Sequence, residues 1–247
     1  MFIDDIYSLA HQYSVNIFLL GEGKVTVEIN ALAILQTLKS SLATPKLVKP
    51  KSDPFETLIV TIISQNTADT NTERAFENLS KQFEITPQTL SRAETSKIEG
   101  CLHVGGLYKN KAKTIRNVAT IVLEKFGGSL NPILSLPLTE ARKTLLELPG
   151  IGPKTADVVL LFAANQPTIP VDTHVNRVSK RLGFAPANGD YEEIRLSLQR
   201  LFDKKDYLNV HLLLIALGRK YCKAGHPYCN ECQVKIYCPS KSLGDKK

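Results

Sequence analysis

From Pro54 almost to the last residue, apolar side chains recur at the three- and four-residue spacing of helices that bury one face. An earlier helix with the same pattern is predicted from Ala31 to about Ser41. Proline and glycine separate the segments, for example at Pro87 and Gly127-Gly128. The pattern therefore predicts an all-α fold. The further predicted helices cover about 55–66, 69–83, 109–126, 139–147, 153–165, 173–182, 190–202 and 207–220.

Residues 1–29 follow a different pattern. Val15–Leu20 and the alternating Lys24–Ile29 are typical of two strands joined at a glycine-containing turn. We expect a small N-terminal β-hairpin extension here. The proline-containing stretch Thr44–Pro54 is predicted to be a linker, and Asp53-Pro54 at its end is a helix N-cap followed by proline.

Length and charge limit the classes of function. A chain of 247 residues buries one large core or two of modest size, and its 43% hydrophobic content excludes general disorder. The net charge of +7 favours a nucleic-acid partner, although a solvated basic surface explains it equally well. No eighteen-residue apolar run is present, and the start lacks the basic region of a signal peptide, so we expect an intracellular protein of cytosol or nucleoid without membrane contact.

Four cysteines cluster near the C-terminus with the spacing C-x6-C-x2-C-x5-C. In a reducing compartment such a cluster binds metal more often than it forms disulfides. Zinc and an iron–sulfur cube are both compatible with four cysteines. The spacing favours iron–sulfur, because only one pair has the two-residue gap of a zinc knuckle. The four are Cys222, Cys229, Cys232 and Cys238.

Leu148–Ala156 predicts a tight turn between two helices. Gly150 and Gly152 permit close backbone approach, and the helix that Pro153 opens presents free N–H groups suited to a phosphate oxygen. The turn could grip a DNA backbone without reading its bases. A plain helix–turn–helix corner is the alternative.

Lys154 and Asp172 are the candidate reactive pair. Lys154 lies in the first turn of a helix, where the dipole and partial burial favour a neutral, nucleophilic amine. It could also be an ordinary exposed lysine. Asp172 follows Pro170-Val171 at a helix start, so it is either a simple N-cap or a carboxylate that stabilises positive charge on a sugar ring.

Taken together, residues 54–238 resemble the endonuclease III family of DNA glycosylases in the helix-hairpin-helix superfamily. Leu148–Ala156 resembles the family hairpin, and Val171–His174 resembles its aspartate segment. The hairpin, lysine, aspartate and four cysteines occur in the family order with near-family spacing. The resemblance implies two helical domains with the DNA cleft between them and a C-terminal [4Fe–4S] loop. The expected domains are an extension at 1–29, a cluster domain from 30–53 plus 168–247, and a helical barrel domain with the hairpin at 54–167.

Residue by residue, the resemblance implies that Lys154 is the Schiff-base nucleophile and Asp172 the essential carboxylate. The four cysteines match the ligands of a [4Fe–4S] cluster. Leu107 matches a residue that wedges into the duplex. The glutamine that fills the gap left by a flipped nucleotide falls on Asn66 by ungapped alignment and on Gln65 by residue type, so both stay candidates.

The resemblance also implies the activity. We expect a base-excision repair glycosylase with AP lyase activity, which acts as a monomer on double-stranded DNA and removes oxidised pyrimidines such as thymine glycol. One alternative is a monofunctional mismatch glycosylase for adenine or thymine, a branch that lacks the lysine. Another is a DNA-binding module without catalysis.

Overall fold

The computed structural model describes residues 31–44 and 53–245. Within these ranges the chain is helical without any β-strand, so the all-α prediction is confirmed. The β-hairpin predicted in residues 1–29 lies outside the described residues. No helix in the described ranges is both long and apolar enough to cross a membrane.

Packing divides the described chain into two compact units. The central unit lies within Lys46–Pro170, and the terminal unit is formed by the residues on either side of that range. The described ranges contain twelve α-helices. They are α1 (Ala31–Ser41), α2 (Pro54–Ser64), α3 (Asp69–Gln82), α4 (Pro87–Arg92), α5 (Thr95–Leu102), α6 (Tyr108–Phe126), α7 (Asn131–Leu134), α8 (Leu138–Leu146), α9 (Pro153–Ala164), α10 (Thr173–Leu182), α11 (Tyr191–Leu201) and α12 (Tyr207–Lys220).

Helices α2 to α9 surround the apolar core of the central unit. Leu58 and Ile62 of α2, Ile115 of α6, Leu145 of α8 and Val159 of α9 are all fully buried in it. Each such side chain stabilises the fold by about 1.5–3 kcal/mol relative to an exposed position. The core therefore fixes α2, α6, α8 and α9, which contain or directly flank the candidate site residues of this unit.

Helix starts follow local capping chemistry. The Asp53 side chain accepts hydrogen bonds from the backbone N–H groups of Phe55 (2.7 Å) and Glu56 (3.1 Å), which confirms the predicted cap of α2. Pro87, predicted to be a break, instead lies in the first turn of α4. Thr86 caps that helix by accepting from Thr89 N–H at 3.3 Å, and proline is well suited to a first helical position.

The terminal unit is built on α12. Nine of its fourteen residues are buried, and both α1 and α10 pack against it. Ile34 and Leu38 of α1 and Val178 of α10 are fully or almost fully buried. Residues from both ends of the sequence thus share one small core, from which the cysteine-containing segment continues.

Candidate active site

A tight turn joins α8 to α9 and forms the predicted hairpin. Buried Leu148 and Ile151 anchor it. Gly150 has a φ of +73°, and a Cβ there would lie 2.7 Å from the Thr114 side chain on α6. Around Gly152, by contrast, a Cβ would meet no atom within 4 Å. The turn therefore packs tightly against α6 on one side and faces open space beside the start of α9.

Lys154 is the second residue of α9, directly after Pro153. It is half-buried, and the first turn of the helix contains no acidic side chain. One turn further on, Asp157 is fully buried and accepts from Arg142 Nε (3.0 Å) and Nη2 (3.2 Å) and from Thr168 Oγ1 (2.9 Å). This network ties α9 to α8 and to the segment that leaves the central unit.

Asp172 is the N-cap of α10. One oxygen, Oδ1, accepts from Val175 N–H at 2.7 Å, and the residue is half-buried. The preceding Val171 is buried, and its N–H donates to the Tyr191 hydroxyl at 3.3 Å. The carboxylate is therefore held at a helix start by backbone geometry. Lys154 belongs to the central unit and Asp172 to the terminal unit.

Gln65 and Asn66 lie in the turn between α2 and α3, here called the Asn66 turn (residues 65–68). The Gln65 side chain points toward the hairpin, where Nε2 donates to the Gly150 carbonyl (3.2 Å) and to Thr155 Oγ1 (3.1 Å). Asn66 is exposed and adopts a left-handed φ of +52°. The two neighbouring residues therefore have different surroundings: Gln65 is engaged with the protein, and Asn66 faces outward.

Leu107 lies at the end of the Leu107 turn (residues 103–107), directly before α6. Its side chain is 58% exposed, unusual for a leucine in a well-packed unit, and its φ is +49°. Gly106 before it also has a positive φ, of +64°. Backbone strain at a non-glycine residue costs about 1–3 kcal/mol and persists only where the surroundings hold it in place.

Lys111 contacts both of these turns and is not among the functional residues predicted from the sequence. It is 4% exposed, and its ammonium group donates to oxygens of both turns. The pattern of α6 contains a signal, because Lys111 falls on the same face as buried Ala112, Ile115 and Val118. A lysine within an apolar stripe predicts a buried, hydrogen-bonded cation.

The four clustered cysteines line one cavity in the terminal unit, which is partly open to solvent. None of the described residues that line it has a carboxylate or imidazole side chain. Burial raises the pKa of the Cys232 and Cys238 thiols, and the neighbouring cysteine sulfurs raise it further. As placed, no group of three or more His, Cys, Asp or Glu side chains in the described ranges could hold a metal ion.

Helix α10 contacts the cysteine segment through two arginines. Arg177 Nε donates to the Cys222 carbonyl at 2.9 Å, and Arg181 donates to the carbonyls of Lys223 (2.6 Å) and Ala224 (2.9 Å). The helix that Asp172 caps is thereby fastened to the start of this segment. These contacts were not foreseen, because hydrogen bonds between distant side chains and backbone leave no periodic signal.

A turn after the last cysteine, Lys241–Asp245, packs back against the segment. A Cβ at Gly244 would lie 2.7 Å from Cys229 Cβ and 3.1 Å from its Sγ. Leu243 of the same turn lines the cavity. The close approach requires glycine, so Gly244 joins the set of residues that shape the cysteine cavity.

Comparison with known proteins identifies a family that this chain matches. The sequence model of the HhH-GPD superfamily of base excision DNA repair proteins matches residues 59–204. Endonuclease III of Sulfolobus acidocaldarius is 38% identical over 185 residues, which cover 74% of this chain and 81% of that protein. Endonuclease III of Thermotoga maritima is 36% identical over 190 residues, covering 76% and 84% of the two chains.

A solved structure of a trapped endonuclease III–DNA covalent intermediate, an estranged-adenine complex, has the same fold. It superposes with a TM-score of 0.73 at 31% identity, covering 85% of this chain and 93% of that one. The similarity therefore extends over most of both proteins.

Proposed function

The chain belongs to the HhH-GPD superfamily of base excision DNA repair proteins, and from this membership together with the site we propose a specific reaction. The protein is a base-excision DNA glycosylase. We propose that it removes oxidised pyrimidines such as thymine glycol from double-stranded DNA and then nicks the strand as an AP lyase. The observation that carries this proposal is Lys154, which stands at the start of α9 directly after the Gly-rich hairpin.

Chemistry on a base requires that the nucleotide leave the stack. The exposed Leu107 is proposed to wedge into the duplex, and the outward-facing Asn66 to occupy the gap left behind. The contacts of Gln65 with the hairpin support the choice of Asn66 over Gln65 for this role. The open space beside Gly152 leaves the N–H groups at the start of α9 free of crowding for a phosphate oxygen.

The proposed reaction begins when the neutral amine of Lys154 attacks C1′ of the sugar and the damaged base leaves with the electrons of the glycosidic bond. Asp172 stabilises the positive charge that develops on the ring. One proton of the amine passes to the departing base and the other to O4′ as the C1′–O4′ bond breaks, which opens the sugar and leaves an imine that acidifies the C2′ hydrogen. Loss of that proton expels the 3′ phosphate, so the strand is nicked 3′ to the lesion. The trapped covalent complex of the endonuclease III relative supports a covalent route.

Cys222, Cys229, Cys232 and Cys238 are proposed to hold a [4Fe–4S] cluster. Among the described residues, those that line the cysteine cavity offer four sulfurs and no carboxylate or imidazole, a set of ligands that suits such a cluster. The cluster would hold the segment together and present Lys235 and Lys241, both on the cavity wall, to phosphates. Chemical analysis of the purified protein tests this proposal: iron and acid-labile sulfide should be present in equal amounts, whereas stoichiometric zinc would contradict it.

The reaction is tested with duplex oligonucleotides that contain thymine glycol, an abasic site, a G·T mismatch or adenine opposite 8-oxoguanine. The proposal predicts cleavage of the first two. Lys154→Ala should abolish strand cleavage, whereas Lys125→Ala, an exposed lysine in the last turn of α6, should leave it unchanged. Base release from a mismatch without cleavage favours a monofunctional glycosylase. Tight binding without any base release favours a DNA-binding module.

A further inference from the structure

The Lys111 ammonium group connects two separate turns of the central unit. Its Nζ donates to the Ile63 carbonyl at the end of α2 (2.7 Å) and to the Gly105 carbonyl in the Leu107 turn (3.1 Å). It also donates to the hydroxyl of Thr67 in the Asn66 turn. The Thr67 hydroxyl in turn donates to the Gly105 carbonyl. One buried cation and one hydroxyl thus link the base of the Asn66 turn to the base of the Leu107 turn.

These contacts account for how a charge is tolerated in the core. Burial lowers the pKa of Lys111 from its ordinary value. Three oxygen acceptors replace the water that the ammonium group loses, as a buried cation requires. The end of α2 and the Leu107 turn supply the two carbonyls, and the Asn66 turn supplies the Thr67 hydroxyl, so neither turn can shift without removing an acceptor from the cation. An apolar side chain would fill the same space, but it could not donate hydrogen bonds to the two turns.

From this geometry we infer that Lys111 is a positioning residue, which fixes Leu107 and Asn66 at the separation needed to open a DNA duplex. The inference rests on the proposed function, because it assigns Lys111 to the step that precedes chemistry. Leu107 and Asn66 both have positive φ values, +49° and +52°, and both are exposed. Strained, outward-facing residues keep their conformation only where neighbouring groups hold the backbone, and Lys111 donates hydrogen bonds to both turns.

Two kinds of substrate differ in whether a duplex has to be opened before the reaction. A lesion in duplex DNA has to be extruded, whereas an abasic site in a single strand has no base pair to open. Lys111→Met keeps the length of the side chain and removes its charge and hydrogen bonds. We expect cleavage of duplex DNA with a lesion to fall about 10- to 100-fold, as for a misplaced positioning group. Cleavage of a single-stranded abasic oligonucleotide should stay within about twofold of wild type.

Two further variants complete the experiment. Lys125→Met, on the same helix about 21 Å away at 1.5 Å per residue, removes the same charge and should behave as wild type on both substrates. Thr67→Val removes only the bridging hydroxyl and should give a smaller defect with the same preference for the single strand. If Lys111→Met matches Lys125→Met on duplex DNA, the inference is wrong. It is also wrong if Lys111→Met loses both substrates equally, since that indicates a general folding role.

Duplex opening is also measured without chemistry. A 2-aminopurine beside an abasic-site analogue becomes fluorescent when its neighbours unstack, while fluorescence anisotropy reports binding. Wild type should raise the 2-aminopurine signal, and Lys111→Met should bind yet fail to raise it. If wild type opens the duplex and Lys111→Met does not, but wild type cleaves neither substrate, the proposed reaction fails and the role of Lys111 stands. If Lys111→Met raises the signal as wild type does, the role of Lys111 is refuted.

Discussion

Neighbouring residues of the site differ in what surrounds them. Gly150 has a positive φ and lies against Thr114, while Gly152 has ordinary backbone geometry and open space around it. The same contrast separates Gln65, bound to the hairpin, from the exposed Asn66. Residues that share a motif therefore fall into two groups, those that contact the rest of the protein and those that face outward.

Alanine substitutions at the two hairpin glycines separate these roles. Gly150→Ala should lower the free energy of unfolding by roughly 2–4 kcal/mol, because the left-handed φ and the contact with Thr114 both oppose a side chain. Gly152→Ala should change stability by less than about 0.5 kcal/mol, since its methyl group enters open space. It should still weaken duplex binding about tenfold, which is ~1.4 kcal/mol. Urea unfolding and fluorescence anisotropy measure the two effects, and identical behaviour of both variants contradicts the assignment.

Ser179 on α10 offers a prediction about stability alone. Its hydroxyl is fully buried and has no hydrogen-bond partner among the residues that the structure describes. An unsatisfied buried polar group costs about 1–3 kcal/mol, so Ser179→Ala should raise the free energy of unfolding by about 1 kcal/mol. Thermal unfolding should show a higher Tm with unchanged DNA cleavage. A lower Tm means that the hydroxyl makes a stabilising bond.

At the scale of elements, the candidate site depends on how a few helices are joined. The Asp157 network joins α9 to α8, Lys111 joins α6 to the end of α2, and the arginines of α10 join that helix to the cysteine segment. Charged groups with backbone or side-chain partners make each of these connections. The helices are therefore held in register by polar contacts in addition to the apolar core.

The turn that closes the cysteine segment can be tested with a matched pair of glycines. A methyl group at Gly244 would collide with Cys229, whereas one at Gly225 would meet nothing within 4 Å. Gly244→Ala should destabilise the fold by roughly 1–3 kcal/mol, as overpacking does, and should speed the loss of iron to a chelator. Gly225→Ala should match wild type. Equal rates of iron loss for the two variants would show that Gly244 does not shape the cluster site.

The sequence predicted the long helices because each has a strong apolar period. It missed α4, α5 and α7, which have six, eight and four residues, because so short a segment shows little periodicity. Motif residues such as Lys154 and Asp172 could be selected because glycine, proline and a helix start surround them. Gly244 and Arg177 could not, since their importance comes from contacts across α10 and the cysteine segment that only the folded chain brings together.

At the scale of the whole molecule, two units divide the candidate residues between them. The central unit contributes the hairpin, Lys154 and the two exposed turns, and the terminal unit contributes Asp172 and the cysteine segment. The chain carries a net charge of +7, which matches a polyanionic partner such as DNA. We therefore expect the positive charge to give affinity for any DNA, and the Asn66 and Leu107 turns to select a lesion.

Salt should therefore weaken binding to undamaged duplex. The logarithm of the association constant is expected to fall linearly with the logarithm of salt concentration, with a slope of about −0.9 for each phosphate contact. Lys111→Met should leave this slope unchanged, because the buried ammonium group contacts no phosphate. Titrations by anisotropy between low and physiological salt measure it. Affinity that does not depend on salt contradicts recognition through the backbone.

The most direct test of the central claim locates the covalent bond. Borohydride should reduce the imine formed with a DNA strand that contains thymine glycol or an abasic site. The trapped complex is digested with protease and nuclease, and mass spectrometry identifies the modified peptide. The proposed reaction predicts a reduced sugar on the Nζ of Lys154. An adduct on another amine, or base release without any adduct, contradicts it.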